Sequence, residues 1–264
     1  MRFFDNFNSI LIKAENISIV KLTTVQINSY KNDGYITIEN VFKPSEMDLA
    51  IHEAQQWQEE FITNLSEADK MWYLDKSTSI QNQVRKLDNP VSQRQLFKDI
   101  ALSPALVSIV EELIGKEVIA FFSQIFFKPP QGGGPKPTHQ DNFYFGPDQG
   151  NHVITAWIAF DDALLENGCL YYGKGSNQGR LIEHQAPEDE PFNYQILDSA
   201  KVPMVAAPVK KGGINLHHGR TMHQSSNNTS HLWRRAMAIH YMQKEVNLVN
   251  SIFEFDPVHF VKAY

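Results

Sequence analysis

Two short stretches hold the side chains best able to do chemistry. In Pro137-Thr138-His139-Gln140-Asp141-Asn142 an imidazole and a carboxylate stand two residues apart. Side chains at i and i+2 of an extended chain leave the same face, so these two could converge on one ion. The stretch Leu216-His217-His218-Gly219-Arg220-Thr221-Met222-His223-Gln224-Ser225 supplies three further histidines that could complete the set. Adjacent His217 and His218 point to opposite faces of a strand, so at most one of them faces a metal. Two imidazoles and one carboxylate, with coordination positions left open, suit a non-haem ferrous ion that must also admit dioxygen. His-x-Asp alone is a common pattern, and a histidine beside a turn with a solvated aspartate accounts for it as well.

The segment that follows narrows the reading. After His223 the chain turns through Ser226-Asn227-Asn228-Thr229-Ser230 and returns as Arg234-Arg235-Ala236-Met237-Ala238-Ile239-His240-Tyr241. Alternation places Arg234, Ala236, Ala238 and His240 on one face and Arg235, Met237, Ile239 and Tyr241 on the other. One long cation beside two alanines leaves room for a ligand and offers it a planar fork that clamps a carboxylate. His240 shares that face and is expected to be a core histidine with a backbone partner. His52, His152, His184, His231 and His259 have no partner pattern and are expected on the surface or in loops. The Phe143-Tyr144-Phe145 run could line a pocket, with Tyr144 the candidate. Gly132-Gly133-Gly134 precedes no helix and is expected to be a flexible lid at the mouth of the site. Glu188-Asp189-Glu190 is expected to be a solvated loop.

The elements that must position these groups fall into two textures. Leu22-Thr23-Thr24, followed by Val25, Ile27 and Tyr30, reads as a capped short helix that Asn32-Asp33-Gly34 ends, and Tyr35 to Ile38 follows as a strand. Pro44-Ser45-Glu46 opens a long helix with Met47, Leu49, Ile51, Ala54, Trp57, Phe61 and Ile62 as its apolar positions. A second amphipathic stretch runs through Leu106, Ile109, Val110, Leu113 and Ile114 to Gly115. From Val118 the chain turns β-branched and aromatic, with strands expected over 118–127, 142–145, 153–160, 169–172, 202–209, 214–218 and 234–242. Helices first and then many short strands argue for an α+β fold, an antiparallel sandwich or barrel braced by helices. No internal repeat or linker divides the 264 residues, so one domain is expected. Its helical part would run to about residue 117, its β core over about 118–245, and a tail over 246–264.

These segments together resemble the phytanoyl-CoA dioxygenase family of Fe(II)/2-oxoglutarate oxygenases. The likeness is carried by His139-Gln140-Asp141, by Thr155-Ala156-Trp157-Ile158-Ala159-Phe160-Asp161-Asp162, by Glu166-Asn167-Gly168-Cys169-Leu170 and by His223-Gln224-Ser225 with Trp233-Arg234. It runs from about Leu22 to Met242. It implies a double-stranded β-helix, a cupin-like jelly roll, holding Fe(II) with 2-oxoglutarate and O2 as co-substrates. It further implies His139, Asp141 and His223 as iron ligands, and Arg234 as the clamp on the distal 2-oxoglutarate carboxylate with Ser225 beside it. Trp157 would lie near the co-substrate. Lys86 and Gln124 match positions that touch it in some members, and Arg85 takes the place of Lys86 in a shifted alignment. Because halogenating relatives replace the carboxylate ligand, Asp141 implies hydroxylation, with desaturation and ring closure using the same ligands. Two segments depart from the family pattern: Lys174-Gly175-Ser176-Asn177 stands for Pro-Gly-Ser-His, and Gly212-Gly213 for Gly-Asp. The first lies near the substrate entrance in relatives, which weakens any transfer of substrate identity.

Composition narrows the partners. A net charge of -6 without a Lys/Arg cluster argues against nucleic acid or an anionic membrane, and a small metabolite or natural-product intermediate is the expected substrate. No run approaches a membrane span, and Asp5 and Asn6 break the apolar start that a secretory signal needs. The single cysteine, Cys169, excludes an intramolecular disulfide and reads as a small buried hydrophobe in a reducing compartment. A cytoplasmic protein is expected, so the Asn-x-Ser/Thr triplets at Asn16, Asn64, Asn227 and Asn228 carry little weight. Oligomeric state is left open. Two other classes compete: a zinc hydrolase, for which the Arg234 clamp has no purpose, and a non-catalytic cupin-type binding protein.

Overall fold

The computed structural model describes residues 21–76, 82–188, 190, 193–197 and 202–264. The chain start, the Asn16 triplet and Asp189 of the acidic stretch lie outside the described residues. Helix α1 (Thr24–Asp33) opens with a reciprocal cap. Gln26 N–H donates to Thr23 Oγ1 (3.2 Å), and Thr23 N–H donates to Gln26 Oε1 (2.9 Å). Gly34 ends the helix at a φ of 85°, where a Cβ would sit 2.4 Å from Thr221 Oγ1. Strand β1 (Tyr35–Ile38) leads to α2 (Pro44–Thr63), which buries Met47, Ala50 and Ala54. Leu49, expected on that apolar face, is exposed because the helical period turns it away from 47, 50 and 54.

Next come α3 (Lys70–Tyr73), β2 (Lys86–Asp88), α4 (Pro90–Gln93), α5 (Gln95–Ala101) and α6 (Pro104–Ile114). The β-rich part holds β3 (Val118–Lys128), β4 (Lys136–His139), α7 (Asp141–Phe145), β5 (Val153–Ala159), β6 (Leu170–Gly173) and β7 (Met204–Ala207). It ends with β8 (Ile214–His218), β9 (His223–Ser225), β10 (Arg234–Gln243) and β11 (Val261–Lys262).

Two antiparallel sheets form the jelly roll. The larger runs β1-β8-β5-β10-β3-β11 with β2 also on β3, and the smaller runs β4-β9-β6-β7. Period-two alternation gives each face of the larger sheet its own task. Ile125, Phe127, Ile154, Ile158, Met237, Ile239 and Tyr241 pack outward against α2, α5 and α6 in the main apolar core. Trp157, Ala159, Ala236 and Ala238 face inward, toward Leu170, Tyr172 and Ala207 of the smaller sheet. With both faces covered, every residue of β5 is buried.

Residue 117 is not a clean boundary between helices and sheet. Both β1 and β2 belong to the larger sheet, and β11, in the expected tail, pairs with β3 at its edge. Residues 142–145, expected as a strand, are helical in α7. Their aromatics serve different neighbours. Phe145 packs edge-on with Phe121 at 4.9 Å between ring centroids, Tyr144 stands edge-on to His139, and Phe143 stacks on another ring, that of His184. Gly146 ends the turn at a φ of 54°, and a Cβ there would lie 2.1 Å from the backbone of Asn250.

Candidate functional site

Pairing of β4 with β9 sets His139 opposite His223 and so joins residues 84 positions apart. Their ring centroids are 4.1 Å apart, and each Nε2 lies 3.6 Å from Asp141 Oδ1. Among the described residues these three form the one group able to hold a metal ion, with ligand atoms all within 4.8 Å of each other. Gln140 keeps an extended backbone, so Asp141 reaches the site from the first residue of α7 rather than from a strand. Hydrogen bonds to backbone carbonyls fix both rings. His139 Nδ1–H donates to Pro137 O (2.8 Å) and His223 Nδ1–H to Thr221 O (3.0 Å), which leaves both Nε2 lone pairs facing Asp141. Burial, helped by Lys136, lowers His139; burial, with His139 and His217 alongside, holds His223 well below its ordinary value. Burial alone would raise the Asp141 carboxyl, but the surrounding His223, His139 and His217 imidazoles outweigh it and hold it well below the usual range. Neutral rings and an ionised carboxylate are the forms that coordinate a divalent ion.

One cross-strand row of the larger sheet, His217–Thr155–His240–Phe122, orients that carboxylate. Thr155 Oγ1 donates to Asp141 Oδ2 (2.5 Å), and His217 Nε2–H donates to the same oxygen (3.0 Å). Tyr172 OH then donates to His217 Nδ1 (3.0 Å), while His240 Nδ1–H donates to Thr155 Oγ1 (2.8 Å). Oδ2 is thus satisfied from behind and Oδ1 is directed at His139 and His223. Of the adjacent rivals, His217 supports Asp141, whereas His218 turns to the backbone N–H of Arg220. The partner of His240 is a side-chain hydroxyl, not the backbone expected from sequence.

The next rows carry the remaining candidates. Trp157, Ala238, Gln124 and Asp88 are successive neighbours, as are Ala159, Ala236, Phe126 and Lys86. Arg234 lies one row further, only 3% exposed, its guanidinium carbon 5.4 Å from the Trp157 ring centroid. Its Nε and Nη1 are buried without a hydrogen-bond partner, and burial lowers its pKa to about 10. Arg235 points the other way and is bound to Asp161 through Nε (2.7 Å) and Nη2 (2.9 Å). Ser225, also buried, sits on β9 two residues beyond His223.

Lys86 and Gln124 meet on a carboxylate that sequence reasoning did not single out. Lys86 Nζ is 2.8 Å from Asp88 Oδ2, and Gln124 Nε2 donates to Asp88 Oδ1 at 2.6 Å. Arg85 donates instead to the carbonyl of Trp72. The glycine loop, expected as a flexible lid, is tied down: Lys128 Nζ donates to Gly134 O (2.8 Å) and Asn228 N–H to Gly132 O (3.2 Å).

His184, expected on the surface, is buried, stacks on Phe143 at 4.1 Å and accepts the Gln140 N–H at 2.8 Å. No local pattern marks it, because its partners lie about 40 residues away. Burial lowers both His184 and His218 to about 4, and each accepts a backbone N–H that protonation would displace. In the unfolded chain both titrate near 6.5, so between pH ~6.5 and ~4 the unfolded state binds the extra protons. Stability should therefore fall as pH drops through that window, each histidine adding a slope of up to about 1.4 kcal/mol per pH unit. Urea unfolding should show a lower midpoint at pH 5 than at pH 7; an equal or higher midpoint contradicts these assignments.

The profile of the phytanoyl-CoA dioxygenase (PhyH) family matches residues 30–236. Mouse phytanoyl-CoA dioxygenase domain-containing protein 1 is 28% identical over 84% of this chain and 90% of its own length. A probable alpha-ketoglutarate-dependent hypophosphite dioxygenase of Stutzerimonas stutzeri is 27% identical over 82% of this chain and 77% of its own. Among solved structures, the alpha-ketoglutarate-dependent carbocyclase SnoK from nogalamycin biosynthesis superposes with a TM-score of 0.68 at 24% identity, covering 88% of both chains. The non-haem monooxygenase ThoJ superposes at 0.70 and 20% identity, covering 85% and 80%. These structural likenesses speak for the fold, and the profile match extends over most of the sequence: the chain belongs to the phytanoyl-CoA dioxygenase (PhyH) family.

Proposed function

We propose that the chain is an Fe(II)- and 2-oxoglutarate-dependent dioxygenase that hydroxylates an unactivated C–H bond of a small molecule. The observation that carries this reading is Arg234, a buried guanidinium with two unpartnered nitrogens on the inward face of the larger sheet, while His139 and His223 are on the smaller sheet. A buried, unpaired cation is costly unless an anion completes it, and the distal carboxylate of 2-oxoglutarate fits a planar fork. The donor set fits a ferrous ion, with His139 Nε2, His223 Nε2 and Asp141 Oδ1 as the proposed ligands. A ferrous ion bound there would supply dioxygen activation coupled to decarboxylation of 2-oxoglutarate to succinate and CO2. The residues would do the rest: His217 and Thr155 hold Asp141, Trp157 packs on Arg234, Ser225 would hydrogen-bond the distal carboxylate, and the apolar walls would keep water out.

Family membership supports the activity, as do relatives named as alpha-ketoglutarate-dependent enzymes. The fold shared with EctD from S. alaskensis, whose crystal structure holds 2-oxoglutarate and 5-hydroxyectoine, is in keeping with a small-molecule substrate. A zinc hydrolase would leave Arg234 without a task. For Lys86 and Gln124 we propose a contact with the co-substrate in which it displaces Asp88 as their partner. The shared apolar core supports a single functional unit. No helix among the described residues is long and apolar enough to cross a membrane, and Cys169 is free and buried. The cysteine usage supports a cytoplasmic setting.

Succinate release over a metabolite panel with Fe(II), ascorbate and 2-oxoglutarate tests the activity. Substrate-dependent succinate is expected, and its absence with every member would favour a binding protein. His217→Phe removes a hydrogen bond to Asp141 without removing a proposed ligand. Fe(II) affinity should fall roughly 10- to 100-fold with the fold retained. An unchanged metal titration would remove His217 from this role.

A further inference from the structure

Lys136 is a buried amine close to the proposed metal ligands that the oxygenase reading does not use. A shift in the β4–β9 register sets Lys136 opposite Ser225 just as His139 is set opposite His223. Its Nζ lies 3.1 Å from Tyr144 OH and 2.9 Å from Asn193 Oδ1, and 5.3 Å from the Tyr144 ring centroid. The same Tyr144 ring stands edge-on to His139 at 5.7 Å. Lys136 therefore sits one aromatic ring away from the proposed metal ligands.

Its partners are neutral oxygens, and no carboxylate among the described residues forms an ion pair with it. Glu190 is held one residue off, bound to Asn193 Nδ2 at 2.8 Å. Lys86 is paired with Asp88, and Arg85 turns to the Trp72 carbonyl. Among the described residues Lys136 thus has two neutral hydrogen-bond partners and no counter-ion. Burial first, and then Arg85 and Lys86, push its pKa down to about 7 against the opposing pull of Asp141 and Glu190. An anion beside it would relieve that strain. Next to it, Tyr144, Tyr194 and Phe253 form an aromatic wall, with Tyr144 and Phe253 stacked at 5.9 Å.

We propose that the substrate is an anionic small molecule whose carboxylate or phosphonate binds Lys136 Nζ while its apolar body lies against Tyr144 on the way to the metal. This rests on the oxygenase reading of the same site and narrows it to a substrate class. The pairing orients the molecule: an anchored anion and a flat wall together leave one edge of the substrate toward His139 and Asp141.

The test uses the full-length protein loaded with Ni(II) and 2-oxoglutarate. Aryl and alkyl carboxylates, each paired with its neutral amide, and phosphonates, each paired with its neutral diester, are presented and binding is read by saturation-transfer NMR. Acids should bind at least about tenfold more tightly than their neutral partners, the scale of one charged hydrogen bond. Whichever acid arm binds identifies the anion. Lys136→Met should abolish the preference and Lys136→Arg should keep it. Equal binding of acids and neutral partners, a panel in which nothing binds, or an undiminished preference in Lys136→Met overturns the proposal. The wild-type comparison decides even if a variant fails to fold.

An anaerobic Fe(II)/2-oxoglutarate absorption band recorded on the same proteins separates the two readings. Its presence in wild type and in Lys136→Met is expected. Absence from wild type fails the oxygenase reading itself, whereas loss in Lys136→Met alone makes Lys136 a co-substrate residue and overturns only the substrate assignment.

Discussion

Asp141→Ala is expected to weaken Fe(II) binding by more than about 100-fold and to bring succinate formation to background. Losing an outer partner of a ligand typically costs roughly 10- to 100-fold, and here a proposed ligand itself is removed. It is also the one anion in the set, beside two imidazoles that burial keeps in the neutral form. The substitution strands the Thr155 hydroxyl and the His217 Nε2–H, each worth about 1–3 kcal/mol if left unsatisfied. Thermal stability should fall modestly while the circular dichroism spectrum stays that of a folded protein. Metal titration of the folded variant is the check, and wild-type affinity would remove Asp141 from the ligand set.

Arg234→Met should leave metal affinity near wild type and raise the KM for 2-oxoglutarate by about 100- to 1,000-fold. Truncating one partner of a buried, hydrogen-bonded charge pair costs about 2–5 kcal/mol, and the side chain proposed as the partner here is nearly inaccessible to water. Lys128, across the strand from Arg234, is poorly placed to substitute, because its Nζ is already bound to the carbonyls of Gly134 and Ser226. Arg235 is committed to Asp161 on the opposite face. Arg234→Lys should recover part of the loss, since it restores charge without the planar fork. A KM unchanged in Arg234→Met would leave the guanidinium without a function.

What could be read from the sequence follows from how local each signal is. The alternation of β10 separates Arg234 from Arg235, and the structure places them inward and outward as that alternation requires. The caps and stops of α1, α2 and α6 lie within a few residues of each helix end, and those helices stand where Leu22-Thr23-Thr24, Pro44 and Gly115 put them, with Thr23 the cap of α1. The short strands β2, β9 and β11 carry two or three residues each, too few for a period, and only pairing with distant partners defines them. The residues of α7 are rich in strand formers, yet they fold as a turn of helix. Asp141 must leave an extended Gln140, and Phe145 must reach Phe121 while Tyr144 stays beside His139. Tertiary demand overrode propensity there. The clamp on Asp141 from Thr155 and His217, and the Asp88 that gathers Lys86 and Gln124, depend on strand register. That register becomes visible only once the sheets are assembled.

The joint binding of metal and co-substrate tests the central claim most directly. Anaerobic addition of Fe(II) to the protein with 2-oxoglutarate should produce a visible metal-to-ligand charge-transfer band at one equivalent of each, absent when either is omitted and lost in Asp141→Ala. A protein that binds Fe(II) but develops no band with 2-oxoglutarate, or one that develops the same band without Asp141, would contradict the account.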